Sequence, residues 1–347
     1  MFRRFLLNGA LVLGSTFFCL VVGEIVCRIF FPDTRLRYEA DQDVLAAIAP
    51  NQDGFIYLSD GSRAPRVRIN ELGLRGASLA EASGRRVLFL GDSFTFGSGV
   101  TEDESFVSLV DEALGEEVTA VNGGHPGYGI YQMEIKFQRL SSVLRPELVV
   151  LIIWESFLLR QRHTTEGHQA FIARMEKLNR LKSFSVLGTY VYRLYEQIAL
   201  RFDAKNLVVA LQETKEPQFS NEVLHRRAVR LDSERILRIN DRVQAEGGKF
   251  AIVFWPREGY VVDDVETEMS AGLSAQFEEF AEANGIPFFS VQGAFESYPA
   301  AALNIPNDGH PTPFAHCLVA RKLVGIFEEL GHPLEQTVSC ADFLAGG

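Results

Sequence analysis

The chain has 347 residues, 47% hydrophobic and 23% charged, with 29 Gly and 13 Pro, which excludes a disordered tail, a collagen-like repeat and a small disulfide-stapled scaffold. That length suits one large α/β domain with an accessory segment, or two modest domains. The formal net charge of −11 excludes a protein that grips nucleic acid over its whole surface, because phosphate binding needs clustered Lys and Arg.

The first element is an apolar run from Phe5 to Val22, preceded by Arg3 and Arg4 and continued to Phe31, where Pro32 stops it. About 20 apolar residues cross the hydrocarbon layer, so residues 1–32 are expected to form one transmembrane helix that anchors the chain. A cleaved signal peptide is the rival. It wants a small-residue cleavage site after a shorter run, and Val21-Val22-Gly23-Glu24 is not one. Arg3 and Arg4 predict a cytoplasmic N-terminus, with everything after Pro32 on the outer side. Cys19 and Cys27 lie in the apolar stretch, leaving Cys317 and Cys340 as the one pair open to a disulfide.

Residues 33–84 are turn-rich and read as a connecting arm with short β pieces. Arg86–Leu90, ended by Gly91, has the pattern of a strand buried on both faces. A helix over Glu104–Leu114 follows, then a strand at Val118–Val121 and a Gly-rich loop at Asn122–Gly129. Next come a helix over Gln132–Leu144 and the most apolar strand, Leu148–Trp154. After a long helical region the pattern resumes with a strand at Lys249–Trp255, a helix over Ser274–Asn284 and a strand at Ile286–Val291. A helix over Phe314–Leu330 closes the domain, expected at residues 85–335 with a tail at 336–347. Five apolar strands separated by helices predict an α/β fold: a three-layer, doubly wound parallel sheet with right-handed crossovers. Such sheets bind ligands at the carboxyl ends of their strands. The unusual loops (Gly91-Asp92-Ser93, Asn122-Gly123-Gly124, Trp154-Glu155-Ser156, Pro256-Arg257 and Asn307-Asp308-Gly309-His310) all fall on that edge.

Residues 157–246 interrupt the alternation as a helical insertion with 16 Lys and Arg against 11 Asp and Glu. Its stretch Ser183–Phe202 carries apolar residues at helical spacing. The plain reading is a cap whose stripe packs on the sheet; the sharper one is a lid or a membrane-surface helix near the anchor.

Ser93 follows a buried strand and precedes a helix, which holds a hydroxyl at the sheet edge near backbone N–H groups. A serine needs a positioned base. His310 is the candidate, in a Gly/Pro-rich loop before a helix, with Asp308 beside it to orient the ring. Each piece has a plainer reading: Gly-Asp-Ser can be a helix N-cap, and His125, His163, His168 and His316 are expected as surface or loop residues. No second pair joins His310 and His316 into a metal site, so no metal is expected. Gly124–Gly129 has the wrong glycine order for a dinucleotide loop, and no Gly-Lys-Ser/Thr phosphate loop is present, so no cofactor is expected.

Gly91-Asp92-Ser93, Asn122-x-Gly124 and Asp308-x-His310, in that order and on those loops, resemble the blocks of the SGNH/GDSL hydrolase superfamily. The resemblance covers residues 66–330 and includes Arg68–Arg75, which looks like the lead-in of membrane-anchored bacterial members. It implies a flavodoxin-like sheet of SGNH type, Ser93 as nucleophile, His310 as base, and an oxyanion hole from Ser93, Gly124 and Ser156. Two positions depart from the pattern. The third block's Asn is replaced within Trp154-Glu155-Ser156-Phe157, and the acid's usual place, three residues before the His, is Asn307, so Asp308 or Asn307 orients the ring. The resemblance further implies a single-pass protein of a bacterial inner membrane with its catalytic domain facing the periplasm. Its substrate would be an acetyl ester on a cell-surface or exported polysaccharide, or a small acyl ester. A catalytically degenerate member that binds glycan or scaffolds an export complex is the second hypothesis, and a lipase directed at lipid the third.

Overall fold

The computed structural model describes residues 2–30, 35–58, 61–80, 84–154, 165–192, 194–195, 221–256, 265–331 and 334–344. In chain order the elements are α1 (Phe2–Phe30), β1 (Tyr38–Asp41), β2 (Leu45–Ile48), β3 (Gln52–Gly54), β4 (Val67–Ile69), β5 (Arg85–Gly91), α2 (Ser93–Phe96) and α3 (Phe106–Leu114). There follow β6 (Val118–Gly124), α4 (Ile130–Leu144), β7 (Leu148–Ile153), α5 (Thr165–Phe184), α6 (186–192 and 194–195) and α7 (Asn221–Ala245). The last are β8 (Lys249–Phe254), α8 (Val265–Ala283), β9 (Phe288–Ser290), α9 (Ala300–Leu303), α10 (Pro313–Glu329) and α11 (Ala341–Leu344).

These elements divide into two compact units, Met1–Arg35 with Gln169–Phe219, and Leu36–His168 with Ser220–Gly347. In the first, α1 runs unbroken for 29 residues, about 43 Å at 1.5 Å per residue. Among the described residues it is the one helix long and apolar enough to cross a membrane. Within this unit the insertion's apolar stripe is exposed at Phe184, Val191, Leu194 and Tyr195 and partly buried at Val186, Leu187 and Tyr190; residues 196–202 lie outside the described residues.

The second unit is built on a parallel five-stranded sheet in the order β6-β5-β7-β8-β9. All five expected strands are present, and their order is the flavodoxin-like one. From β5 the chain steps one way to β6, then reverses past β5 to β7 and onward. Right-handed crossovers therefore put α3 on one face and α4, α7 and α8 on the other. The helix contacts agree: α3 packs with α10, α4 with α7, and α7 with α8. Covered on both faces, β5 from Val87 and the whole of β7 are buried, which is why these strands read as unbroken apolar runs. The reversal at β5 is the topological switch point, where loops on neighbouring strands part and leave a crevice.

The stretch read as a connecting arm folds as part of this unit. Its hairpin β1–β2 and the pair β3–β4 are antiparallel, and Arg75 bridges onto Asn122 of β6. Leu36, Ile48, Val67 and Ile69 cluster with Phe96 of α2, so the arm packs directly beneath the Ser93 helix. The α8 helix starts at Val265, ahead of the expected Ser274.

Cys317 of α10 is disulfide-bonded to Cys340, 23 positions on in sequence, with the two Cα atoms 5.7 Å apart. A cross-link over a loop of that length is worth about 3 kcal/mol. Cys340→Ser is therefore expected to lower the urea midpoint of the oxidised protein to that of the wild type in dithiothreitol; coincident midpoints for oxidised wild type and variant would show that the bond contributes nothing.

Candidate active site

The Ser93 turn is set by what surrounds a very short helix. β5 ends at Gly91, where a Cβ would lie 1.9 Å from Thr95 Oγ1, so only hydrogen lets the chain fold back this sharply. Asp92 caps α2: its Oδ1 accepts from the Phe94 N–H at 3.0 Å, and its Oδ2 accepts from Trp154 Nε1 at 2.8 Å. The far end of α2 is closed by Gly97 at φ +78°, the left-handed value that glycine adopts without strain. Arg75, buried, donates from Nη1 to the carbonyls of Phe96 (2.8 Å) and Gly97 (2.5 Å) and from Nη2 to that of Val100 (2.8 Å). Burial pulls its pKa down to about 10, against the opposing pull of Glu102, Glu104 and Asp103, so it stays charged at neutral pH.

The end of β6 and the loop after it are stitched to the same turn. Asn122 Nδ2 donates to Thr95 O at 2.9 Å, while its Oδ1 accepts from the Gly124 N–H at 3.0 Å. The His125 N–H donates to Gly91 O at 3.0 Å. A Cβ on Gly124 would lie 2.2 Å from Phe96 N, so the two loops touch backbone to backbone. Lys136 Nζ donates to Gly124 O at 3.2 Å, and burial pulls its pKa down to about 7.

His310 sits on a tight loop closed by the Ile305 N–H donating to His310 O at 2.8 Å, ahead of α10, whose N-cap is Thr312. The ring Nδ1 contacts Asp308 Oδ2, and the His310 N–H donates to the same oxygen at 3.3 Å. The Asp308 side chain is fully buried and that of His310 is 22% exposed, so the carboxylate lies behind the ring. Asn307 is exposed at φ +60°. Of the two candidates for orienting the ring, the fold puts Asp308 against it and turns Asn307 outward. With Nδ1 engaged, Nε2 is the nitrogen free for proton transfer.

The structure brings Ser93 and His310 onto one rim through an aromatic shelf. The His310 ring stands edge-to-face on Phe94, the residue after Ser93, at 6.0 Å between centroids, and Phe94 stacks on Trp154 at 4.4 Å. It does not join the two by a hydrogen bond: the buried Ser93 hydroxyl is turned to Asp92 Oδ2 at 3.5 Å. Glu155 and Ser156 lie outside the described residues. The N-cap reading of Gly-Asp-Ser holds at Asp92, while sequence reading missed the other supports: Phe94 and Trp154 as the shelf, and Arg75 beyond its place in the lead-in. Among the described residues there is no cluster of His, Cys, Asp and Glu fit to hold a metal.

His316 and His125, expected as surface or loop residues, are both buried, His316 within α10 and His125 on the loop after β6. His316 stacks on Phe106 at 5.9 Å and accepts the Phe106 N–H at Nδ1, 3.3 Å away. Burial, with Arg75 and His310 nearby, drives its pKa from 6.5 down to about 3.

No family model matches the chain, and no curated protein matches it. Among solved structures it is similar to a catalytic mutant of Axe2, an acetylxylan esterase from Geobacillus stearothermophilus, at 16% identity and TM-score 0.42, covering 73% of this chain and 96% of that one. It is similar to the psychrotrophic esterase EstA from Pseudoalteromonas sp. at 11% identity and TM-score 0.42, covering 72% and 100%. A GDSL-like lipase from Bacteroides thetaiotaomicron matches at 14% identity and TM-score 0.38, covering 71% and 89%. Residue roles do not transfer across likenesses this distant.

The depressed pKa of His316 has a sign that can be measured. The unfolded chain takes up a proton near pH 6.5 that the fold refuses until about pH 3. Stability from this group is therefore full above about pH 6.5 and falls on acidification, by up to about 1.4 kcal/mol per pH unit. His316→Asn keeps an acceptor for the Phe106 N–H and removes the titration. Urea unfolding between about pH 4 and 7 is expected to show a shallower pH slope in the variant, and parallel slopes would refute this.

Proposed function

We propose that the chain is a serine-dependent ester hydrolase or O-acyltransferase of the SGNH type. It acts through an acyl-Ser93 intermediate on acetyl esters of a cell-surface or exported polysaccharide, on the periplasmic side of a bacterial inner membrane. The observation that carries this reading is the buried Asp308 carboxylate on His310 Nδ1, with the ring resting on the residue next to Ser93 at the switch point of the sheet. The exposed apolar helix α1 and the Cys317–Cys340 bond support an anchored protein in an oxidising compartment.

In this mechanism the Ser93 hydroxyl rotates away from Asp92, and His310 Nε2 takes its proton as Oγ attacks the acyl carbonyl. Asp308 fixes the ring and balances the imidazolium. The negative oxygen of the tetrahedral intermediate is held by the N–H groups of Ser93 and Gly124. The latter shifts part of its bond from Asn122 Oδ1 to the oxyanion. Collapse expels the sugar alkoxide, which recovers the proton from His310. Water or an acceptor hydroxyl, deprotonated by His310, then releases the acyl group and restores Ser93.

Ser93→Ala in the full chain in detergent is expected to lower p-nitrophenyl acetate hydrolysis at least about 10³-fold; rates equal to wild type would overturn the reading. Asp308→Asn is expected to lower kcat about 10³–10⁴-fold with KM little changed, while Asn307→Ala stays within about twofold. Comparable losses at the two positions would contradict the assignment of the orienting group. The occupied Gly124 N–H and the averted Ser93 hydroxyl favour, as second reading, a protein that binds glycan without turning it over. A fluorophosphonate adduct on Ser93 would count against that.

A further inference from the structure

One turn of α1 holds the corner between α5 and α6. The Glu24 carboxylate fills four acceptor positions: Oε1 accepts from the Val186 N–H (3.0 Å) and Arg28 Nε (2.7 Å), and Oε2 from the Leu187 N–H (3.0 Å) and the Ser185 hydroxyl (2.8 Å). Arg28 Nη2 in turn donates to Phe184 O, the last residue of α5, at 3.2 Å. An acid thus meets the positive start of one helix and a base the negative end of the other, each matched to its dipole. Gly23 allows the approach, since a Cβ there would lie 3.2 Å from Leu187 Cδ2.

Beyond this corner the chain presents apolar surface without protein cover. Phe184 is 87% exposed, and Val191, Leu194 and Tyr195, spaced i, i+3 and i+4 on one face, are exposed as well. Tyr190, Tyr192 and Tyr195 have the apolar rings and polar tips that settle at the headgroup boundary. The depth agrees. A span entering after Arg3 and Arg4 reaches the opposite hydrocarbon boundary about 20 residues on, at the level of Glu24. A carboxylate there is costly unless its oxygens are satisfied, and these are.

We infer that α6 is an interfacial helix, with Val191, Leu194, Tyr195 and the neighbouring Phe184 buried in the outer leaflet of the bilayer that α1 crosses, and with Glu24 fixing it at that depth. Val21, Val22 and Ile25, flanking Glu24 on α1, are exposed too, so lipid is the occupant that covers both elements. The inference rests on the reading of α1 as a membrane span. Its test places an NBD fluorophore on Leu194→Cys in the full chain, with Cys19→Ala and Cys27→Ala, in phosphatidylcholine–phosphatidylglycerol vesicles containing spin-labelled lipid. The expected result is retention through a carbonate wash together with quenching of NBD by the lipid label. Glu24→Leu is expected to keep the chain in the vesicles while lowering the docked, quenched population about fivefold, the factor that losing an N-cap is worth. Glu24→Gln, which keeps one acceptor oxygen, should fall between.

Loss of the chain in the wash would overturn the span and this inference together. Retention without lipid quenching would overturn the inference alone. Shielding from aqueous iodide without lipid quenching would mean that a protein covers the face, and would also overturn it. Unchanged quenching in Glu24→Leu would remove Glu24 as the fixing group.

Discussion

A four-residue helix cannot hold a serine in place by itself. It makes too few internal hydrogen bonds, and its terminal N–H and C=O groups have no partners inside it. Here those groups are satisfied from outside: Asp92 accepts from the Phe94 N–H, Asn122 donates to Thr95 O, and the buried guanidinium of Arg75 bonds the carbonyls of Phe96, Gly97 and Val100 where the chain turns back. A planar fork with several donors suits this task; a lysine ammonium would reach it as a single point. Arg75 is itself held by the loop around Asn70, whose Oδ1 accepts from the N–H groups of Leu72 and Leu74. The segment before the sheet is therefore the underside of the Ser93 turn.

The same economy governs the charges around the site. Asp92 and Asp308 are both buried, and each carboxylate has its bonds assigned: Asp92 caps α2 and receives the Trp154 indole, while Asp308 holds the imidazole of His310. Between them lies an apolar shelf in which Phe94, Trp154, Trp255, Phe106 and the neutral ring of His316 pack against one another. Low polarity there strengthens the few hydrogen bonds that cross it and restricts water near the serine. His316 belongs to this packing and is kept uncharged by it, whereas the His310 ring, on the loop ahead of α10, lies against Asp308.

The unit formed by α1 and the α5–α6 corner follows a different logic. Phe184, Val191, Leu194 and Tyr195 face outward, while Glu24 and Arg28 of α1 turn onto the helix ends of the corner. Each charge is thereby matched to the dipole of the helix end it meets.

Much of the fold was legible because parallel strands covered on both faces are forced to be apolar throughout. Arg86–Leu90 and Leu148–Trp154 could hardly read otherwise, and with the helices between them they imply the doubly wound order. Ser93, Gly124 and the Asp308–His310 pair stood out because sharp turns require glycine and a buried acid must sit close to its ring. The arm's short β pieces were legible, but its packing was not, because strands of only three or four residues draw their stability from contacts with Phe96, far along the chain. His316 misled because a polar residue inside a helix carries no local sign of which face will be buried. By itself, then, the sequence determined the sheet and the switch point and singled out candidate residues beside it, since these depend on local periodicity and turn geometry. Tertiary structure alone decided that Asp308 and not Asn307 meets the imidazole, that Arg75 lies beneath the serine and that Glu24 binds Val186, since each depends on where separate loops close, a distance that no local pattern encodes.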